Sequence, residues 1–143
     1  MSDIEWMRTR ISAYLLNDHP RLIRTVLTCA DATAASRPDG FSVADGPADL
    51  LCEQLERSNV IKQLPSVLAG AVNQLNSSLT TEPVAAPPYV VVTNVGPVMR
   101  ATVDHRRLVI TIEAFHIERN SHRYVRTTNV PEEALTIELP EQP

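Results

Sequence analysis

The sequence predicts an α+β fold: an N-terminal bundle of about four helices packed on a C-terminal antiparallel β-sheet of four to five strands. Three observations carry this expectation. From Ile4 to Leu79 the apolar residues recur at helical spacing. From Tyr89 onward they alternate or run together as in strands. The segment TTEPVAAPP, Thr80–Pro88, separates the two patterns. A chain of 143 residues is expected to form a single domain over 1–143, divided into a helical half (1–79), a Pro-rich connector (80–88) and a sheet half (89–143). The helical stripes and the longest strand each need a covering layer, so the halves are expected to share one core.

Ser2-Asp3-Ile4-Glu5 reads as a capping box. Ile4, Met7, Ile11, Tyr14 and Leu15 then share a stripe, predicting a first helix from about Asp3 to Leu16. Asp18 is the expected N-cap of a second helix over His19–Ser36, with Pro20 tolerated in its first turn. That helix carries Leu22, Ile23, Val26, Leu27, Ala30 and Ala34 on one side. Arg37-Pro38-Asp39-Gly40 is a turn signal, followed by a loop that Phe41 and Val43 are expected to anchor. Pro47 suits the first position of a third helix with Leu50, Leu51 and Leu55 inward, interrupted at Leu64-Pro65. A fourth helix is predicted from Pro65 to Leu79, with Gly70 marking close approach by a neighbouring helix.

In the sheet half, strands are expected over Tyr89–Val95, Val98–Val103, Arg107–Ile117, His122–Arg126 and Ala134–Leu139. Pro87-Pro88 favours extended backbone leading straight into the first of these. Asp104-His105-Arg106 predicts a tight hairpin between the second and third. The third is the longest. Leu108, Ile110, Ile112 and Ala114 form one face, and Val109, Thr111, Glu113, Phe115 and Ile117 the other. Helices suffice to cover one face. The second face is expected to meet a symmetry mate, giving a homodimer through the sheet.

Composition bounds the function. The chain is 43% hydrophobic and 21% charged, ordinary values for a globular protein. Residues 1–88 carry 10 acids and 7 bases, and residues 89–143 carry 7 acids and 6 bases, so neither half is a basic module. No apolar run approaches the ~20 residues that span a bilayer. The stretch MSDIEWMRTR lacks the basic and apolar regions of a secretory signal, and the two cysteines, Cys29 and Cys52, lie in apolar helical surroundings. The expectation is a cytoplasmic protein with no membrane contact and reduced, inert thiols. Basic residues are 12 Arg against the single Lys62.

Motifs for nucleophilic, phosphate-loop, dinucleotide or zinc-protease chemistry are absent from the sequence, so no catalytic residue, metal or cofactor is assigned. His116 and His122, across a turn, have the residue types for zinc, but their arginine-rich flanks disfavour a cation. Glu113 is the unusual acid, set in an apolar strand, and Arg100 on the paired strand is its expected partner. Arg100, Arg106, Arg107, Arg119, Arg123 and Arg126 cluster within the hairpins. Arg100, Glu113, His116, Arg119 and Arg123 are therefore the candidate binding residues.

Three function classes follow: a non-enzymatic interaction or regulatory module acting as a homodimer, with a protein partner as a further candidate; a nucleic-acid-associated regulator using the arginine-rich hairpins; and a small-ligand binder or enzyme with a pocket near Glu113. The first leads, because the sheet has apolar faces and the sequence has no catalytic constellation.

The stretch PPYVVVTNVGPVMRATVDHRRLVITIEAFHIER, Pro87–Arg119, resembles small uncharacterised proteins of halophilic archaea. The resemblance implies a cytoplasmic archaeal protein and carries neither an activity nor site residues.

Overall fold

The computed structural model describes residues 3–140. Four helices come first: α1 (Asp3–Asp18), α2 (Pro20–Ala35), α3 (Ala48–Arg57) and, after a 3-10 turn at Ile61–Gln63, α4 (Leu64–Asn73). A two-residue strand, β1 (Phe41–Ser42), lies between α2 and α3. The C-terminal part holds β2 (Val90–Val92), β3 (Pro97–Val103), β4 (Arg106–Ile112), β5 (Phe115–Glu118), β6 (Arg123–Arg126), a helical turn α5 (Pro131–Ala134) and β7 (Leu135–Glu138). The fold is α+β, with the N-terminal helices preceding the main strands. The capping serine, Ser2, lies outside the described residues.

The strands form two antiparallel sheets, one of four in the order β2-β3-β4-β7 and one of three in the order β1-β6-β5. The long strand expected over Arg107–Ile117 is therefore two strands in different sheets. It breaks at Glu113-Ala114, where the backbone leaves the ladder. Glu113 N–H donates to Ala134 O at 2.6 Å, while the N–H groups of Ala114 and Phe115 both donate to Val95 O, at 2.8 and 2.9 Å. Those bonds satisfy the polar groups of the crossing backbone.

Alternation along β3 and β4 sends Met99, Ala101 and Val103, with Leu108, Ile110 and Ile112, to the face that the helices cover. There α4 lies against β3, α1 against β7 and α3 against β2. Ile11, Leu15, Ile23, Leu51, Leu55, Leu64 and Leu68 complete one core with these strands.

Helix ends depart from the expected places for identifiable reasons. α1 continues through Asp18, which leaves His19 at the N-cap of α2 with no side-chain bond to the helix backbone. Its imidazole Nε2 instead meets Tyr14 Oη at 2.9 Å. α3 stops at Arg57, well before Leu64-Pro65. Asn59 takes a left-handed φ of 61°, Val60 N–H donates to Leu55 O and Asn59 N–H to Glu56 O, a Schellman closure sealed by the buried Leu55 and Val60. α4 ends at Asn73, with Asn76 at φ 58°, so Leu75 and Leu79 fall outside it. Pro47 is the N-cap of α3, and Asn94, in the β2–β3 turn, supplies the capping oxygen: its Oδ1 accepts from Ala48 N–H at 3.0 Å. Phe41 is buried, as expected of an anchor, but Val43 is 51% exposed.

Two features of the connections stand out. The β3–β4 hairpin closes through Asp104 and His105, both at positive φ (48° and 68°), the geometry whose twist matches its strands. The Pro87–Pro88 peptide is cis, and Tyr89 and Val90 N–H both donate to Ala86 O, so the connector turns into β2 and is not extended.

Gly70 has the close approach expected of it: a side-chain carbon there would overlap the Tyr14 hydroxyl. At Gly96 the same carbon would overlap the backbone carbonyl of Ile112, beside the sheet crossover. A tyrosine ring can give way and a ladder carbonyl cannot. Gly96→Ala is thus expected to destabilise by roughly 2–3 kcal/mol, and Gly70→Ala by less because helix propensity offsets part of its clash. Urea unfolding of both variants measures the order.

Candidate binding surface on the open face of the sheet

The outer face of the four-stranded sheet is built by the residues that alternate with the core set. Register places Val91, Val98, Thr111 and Thr136 in one cross-strand row, and Arg100, Val109 and Glu138 in the next. Thr102 and Arg107 pair in a third. Val98 is 5% exposed, yet it lies outside the main core, sheltered on this outer face. Val91, Arg100, Val109 and Thr111 are half-buried, whereas Thr102, Arg107, Thr136 and Glu138 are exposed. The expected second apolar face is therefore a short Val/Thr surface between charged ends. Phe115 and Ile117 do not extend it, because they belong to the other sheet.

A cleft of about 250 Å³ opens at one corner of this face. Arg100, Thr102 and Arg107 form its floor, with Thr80, Thr81, Leu79, Pro88 and Tyr89 as its walls. Arg100 and Arg107 are diagonal neighbours on adjacent strands. Neither guanidinium has a hydrogen-bond or ion-pair partner among the described residues. Of the cleft's residues, the arginine pattern of the hairpins signals Arg100 and Arg107. Thr80, Thr81 and Tyr89 read as connector and strand start, and only the fold brings them beside Arg100 and Arg107.

The other candidates disperse. Arg100 faces Val109, not Glu113, because the hairpin turn at Asp104-His105 sets Arg100 opposite a residue four positions short of Glu113. Glu113 sits half-buried at the sheet crossover. His116 is exposed on β5, its Nδ1 3.2 Å from Thr127 Oγ1. Arg119 is exposed in the following turn. Arg123 Nη2 donates to Asp39 O, and its guanidinium packs under Gly40, so it holds the loop before β1. Among the described residues no three His, Cys, Asp or Glu side chains gather as a metal site. No helix among them is long and apolar enough to cross a membrane.

Arg126 is the most connected polar side chain. Its Nε donates to Asp31 at 2.9 Å, Nη1 to Ala114 O, and Nη2 to Thr128 O at 3.0 Å and Asn129 Oδ1 at 2.7 Å. The guanidinium also lies 5.7 Å from the Phe115 ring centroid. Arg106 donates weakly to Met7 Sδ at 3.8 Å. Of the six clustered arginines, Arg106, Arg123 and Arg126 are therefore committed to the fold.

Both cysteines are free. Cys29 is buried, and its thiol donates to Ser58 Oγ at 3.3 Å. Burial, and then the Glu56 carboxylate, push the half-buried Cys52 thiol up, which keeps it protonated and unreactive.

A family described as a domain of unknown function (DUF7988) matches residues 9–140, and the chain belongs to that family. No curated protein and no solved structure gives a significant match.

Arg126→Met is expected to cost roughly 2–3 kcal/mol, since it strips donors from carbonyls at the crossover. Asp31→Asn should cost under about 1 kcal/mol, because Asp31 is exposed. Denaturant midpoints of the two variants test this order. A second expectation concerns pH. Burial, followed by the Asp18 carboxylate, raises the Tyr14 phenol above its ordinary 10.0. The folded state therefore favours the protonated phenol: this contribution is complete below pH 10.0 and is lost as pH rises through the raised value. Tyr14→Phe should show a shallower fall in thermal midpoint above pH 10 than the parent chain, read by scanning calorimetry.

Proposed function

We propose that this family member is a non-enzymatic interaction module that acts as a homodimer through the outer face of its four-stranded sheet. One observation carries the reading: the helices cover one face, and the other presents a half-buried Val/Thr centre with charged residues at its ends. Glu113 lies beyond Thr111 at one end, and Arg100, Arg107 and Glu138 lie at the other. Two such faces packed with their strands antiparallel would set the Val/Thr centre of each copy over that of its mate. A two-fold interface requires this self-complementarity, since each contact occurs twice. In this arrangement Val91 and Val109 exchange water for the same residues of the second copy. The nearly neutral charge balance of the sheet half agrees with self-association rather than with a polyanion partner.

Light scattering on the purified protein at about 10 μM, well above a micromolar dissociation constant, should give twice the chain mass of 15.8 kDa. Val109→Asp should return the monomer mass with unchanged far-ultraviolet circular dichroism. A parent chain that is monomeric at this concentration would overturn the reading, and so would a Val109→Asp variant that remains dimeric.

A further inference from the structure

We propose that the corner cleft beside Tyr89 is a binding site for the phosphoryl group of a small phosphate monoester. This goes beyond the dimer reading, because the cleft lies off the Val91–Thr136 row and is complete within one chain.

The first support is charge. Arg100 and Arg107 project from neighbouring strands into one cleft of about 250 Å³, and no carboxylate of the described residues pairs with either. Two unpartnered guanidiniums side by side repel each other, in a protein whose net charge is -4. A dianion between them removes that repulsion and adds charge-assisted hydrogen bonds. The second support is donor geometry. β2 pairs with β3 only as far as Val90–Met99, with one further bond from Arg100 N–H to Tyr89 O at 2.8 Å. Successive N–H groups of a strand point to opposite sides, so the Thr102 N–H points the same way as that of Arg100, along the open edge of β3 and into the cleft. The hydroxyls of Thr80, Thr81 and Thr102 line the same space.

Guanidinium forks, hydroxyls and a strand N–H thus converge from several directions. That number of donors suits the three terminal oxygens of a phosphoryl group better than the two of a carboxylate. The remaining wall is apolar: Leu79 and the Tyr89 ring give a surface for the carbon body of the ester. The size of the cleft limits that body to a small metabolite.

Phenyl phosphate and benzoate, titrated into the full chain by isothermal calorimetry at constant ionic strength, separate the alternatives. Phenyl phosphate is expected to saturate with a dissociation constant on the order of 1 mM or tighter, and benzoate to bind at least roughly tenfold more weakly. Arg100→Gln and Arg107→Gln should each weaken phenyl phosphate roughly tenfold, whereas Arg119→Gln, which removes the same charge from an exposed turn, should leave it unchanged. Thr102→Val supplies an independent variant if an arginine substitution disturbs folding, and is expected to weaken binding severalfold. Amide shifts of the parent chain should then move at Tyr89 and Thr102. The site is disproved if phenyl phosphate does not saturate. It is equally disproved if benzoate binds as tightly, if Arg119→Gln loses as much affinity as Arg107→Gln, or if a single-stranded oligonucleotide displaces the ester through contacts that involve Arg119.

Discussion

The crossing of the chain from one sheet to the other at Glu113-Ala114 is the constraint on which the rest of the structure depends. A strand that leaves its ladder must find new partners for its backbone groups, because buried unpaired amides are costly. Val95 O accepts two of the freed N–H groups, Ala134 O accepts the third, and the guanidinium of Arg126 donates to Ala114 O. Arg126 also reaches Asp31 on α2 and the loop at Thr128 and Asn129. One side chain thereby ties the small sheet, the second helix and the last loop to the crossover. Phe115, the first residue after the crossing, packs edge-on against Phe41 with ring centroids 6.1 Å apart, which holds β1 and the long loop from the helical half in place.

The crossover also decides what the larger sheet can offer. Had the strand run on to Ile117, its second face would have been long and apolar. Because it ends at Ile112, that face is short, with valines and threonines at its centre and charges at its ends. Such a surface is modest enough to be wetted in one chain. Its corner is a different environment. There β3 outruns β2, the connector folds back over it, and two arginines face a cleft whose lining holds no acid. Face and corner are thus separate consequences of unequal strand lengths.

Much of this was legible in the residues. Helical spacing located α1, α2 and α4 to within a few residues of their starts, since burial of an apolar stripe at that period admits few alternatives. The Asp104-His105 hairpin and the inward set Leu108, Ile110, Ile112 were equally plain, because period-two alternation assigns faces directly. The misplaced features have a common cause. Asp18 looked like a cap and Leu64-Pro65 like a stop, but local preferences of a fraction of a kcal/mol to about 1 kcal/mol yield to tertiary packing. Ser58-Asn59-Val60 contained the real stop for α3, a left-handed asparagine followed by a residue whose burial against Leu55 seals the end. The Arg100–Glu113 pair was misjudged because cross-strand partners depend on register, and one turn conformation sets the register for the whole hairpin.

By itself, then, the sequence determined the class of the fold, the order of helices before strands, the residues of the core and the arginine content of the hairpins. These are properties of periodicity and composition, which act over a few residues. Only the tertiary structure decided that Asn94 caps α3 from 46 residues away, that Arg126 serves the crossover while Arg100 and Arg107 stand unpaired among the described residues, and that Thr80 and Thr81 line a cleft with them. Each of these joins groups far apart in the chain, and local spacing holds no record of which distant oxygen or cation will be brought within 3 Å of a given N–H. That choice is made by the packing of whole elements, after the local pattern has done all it can.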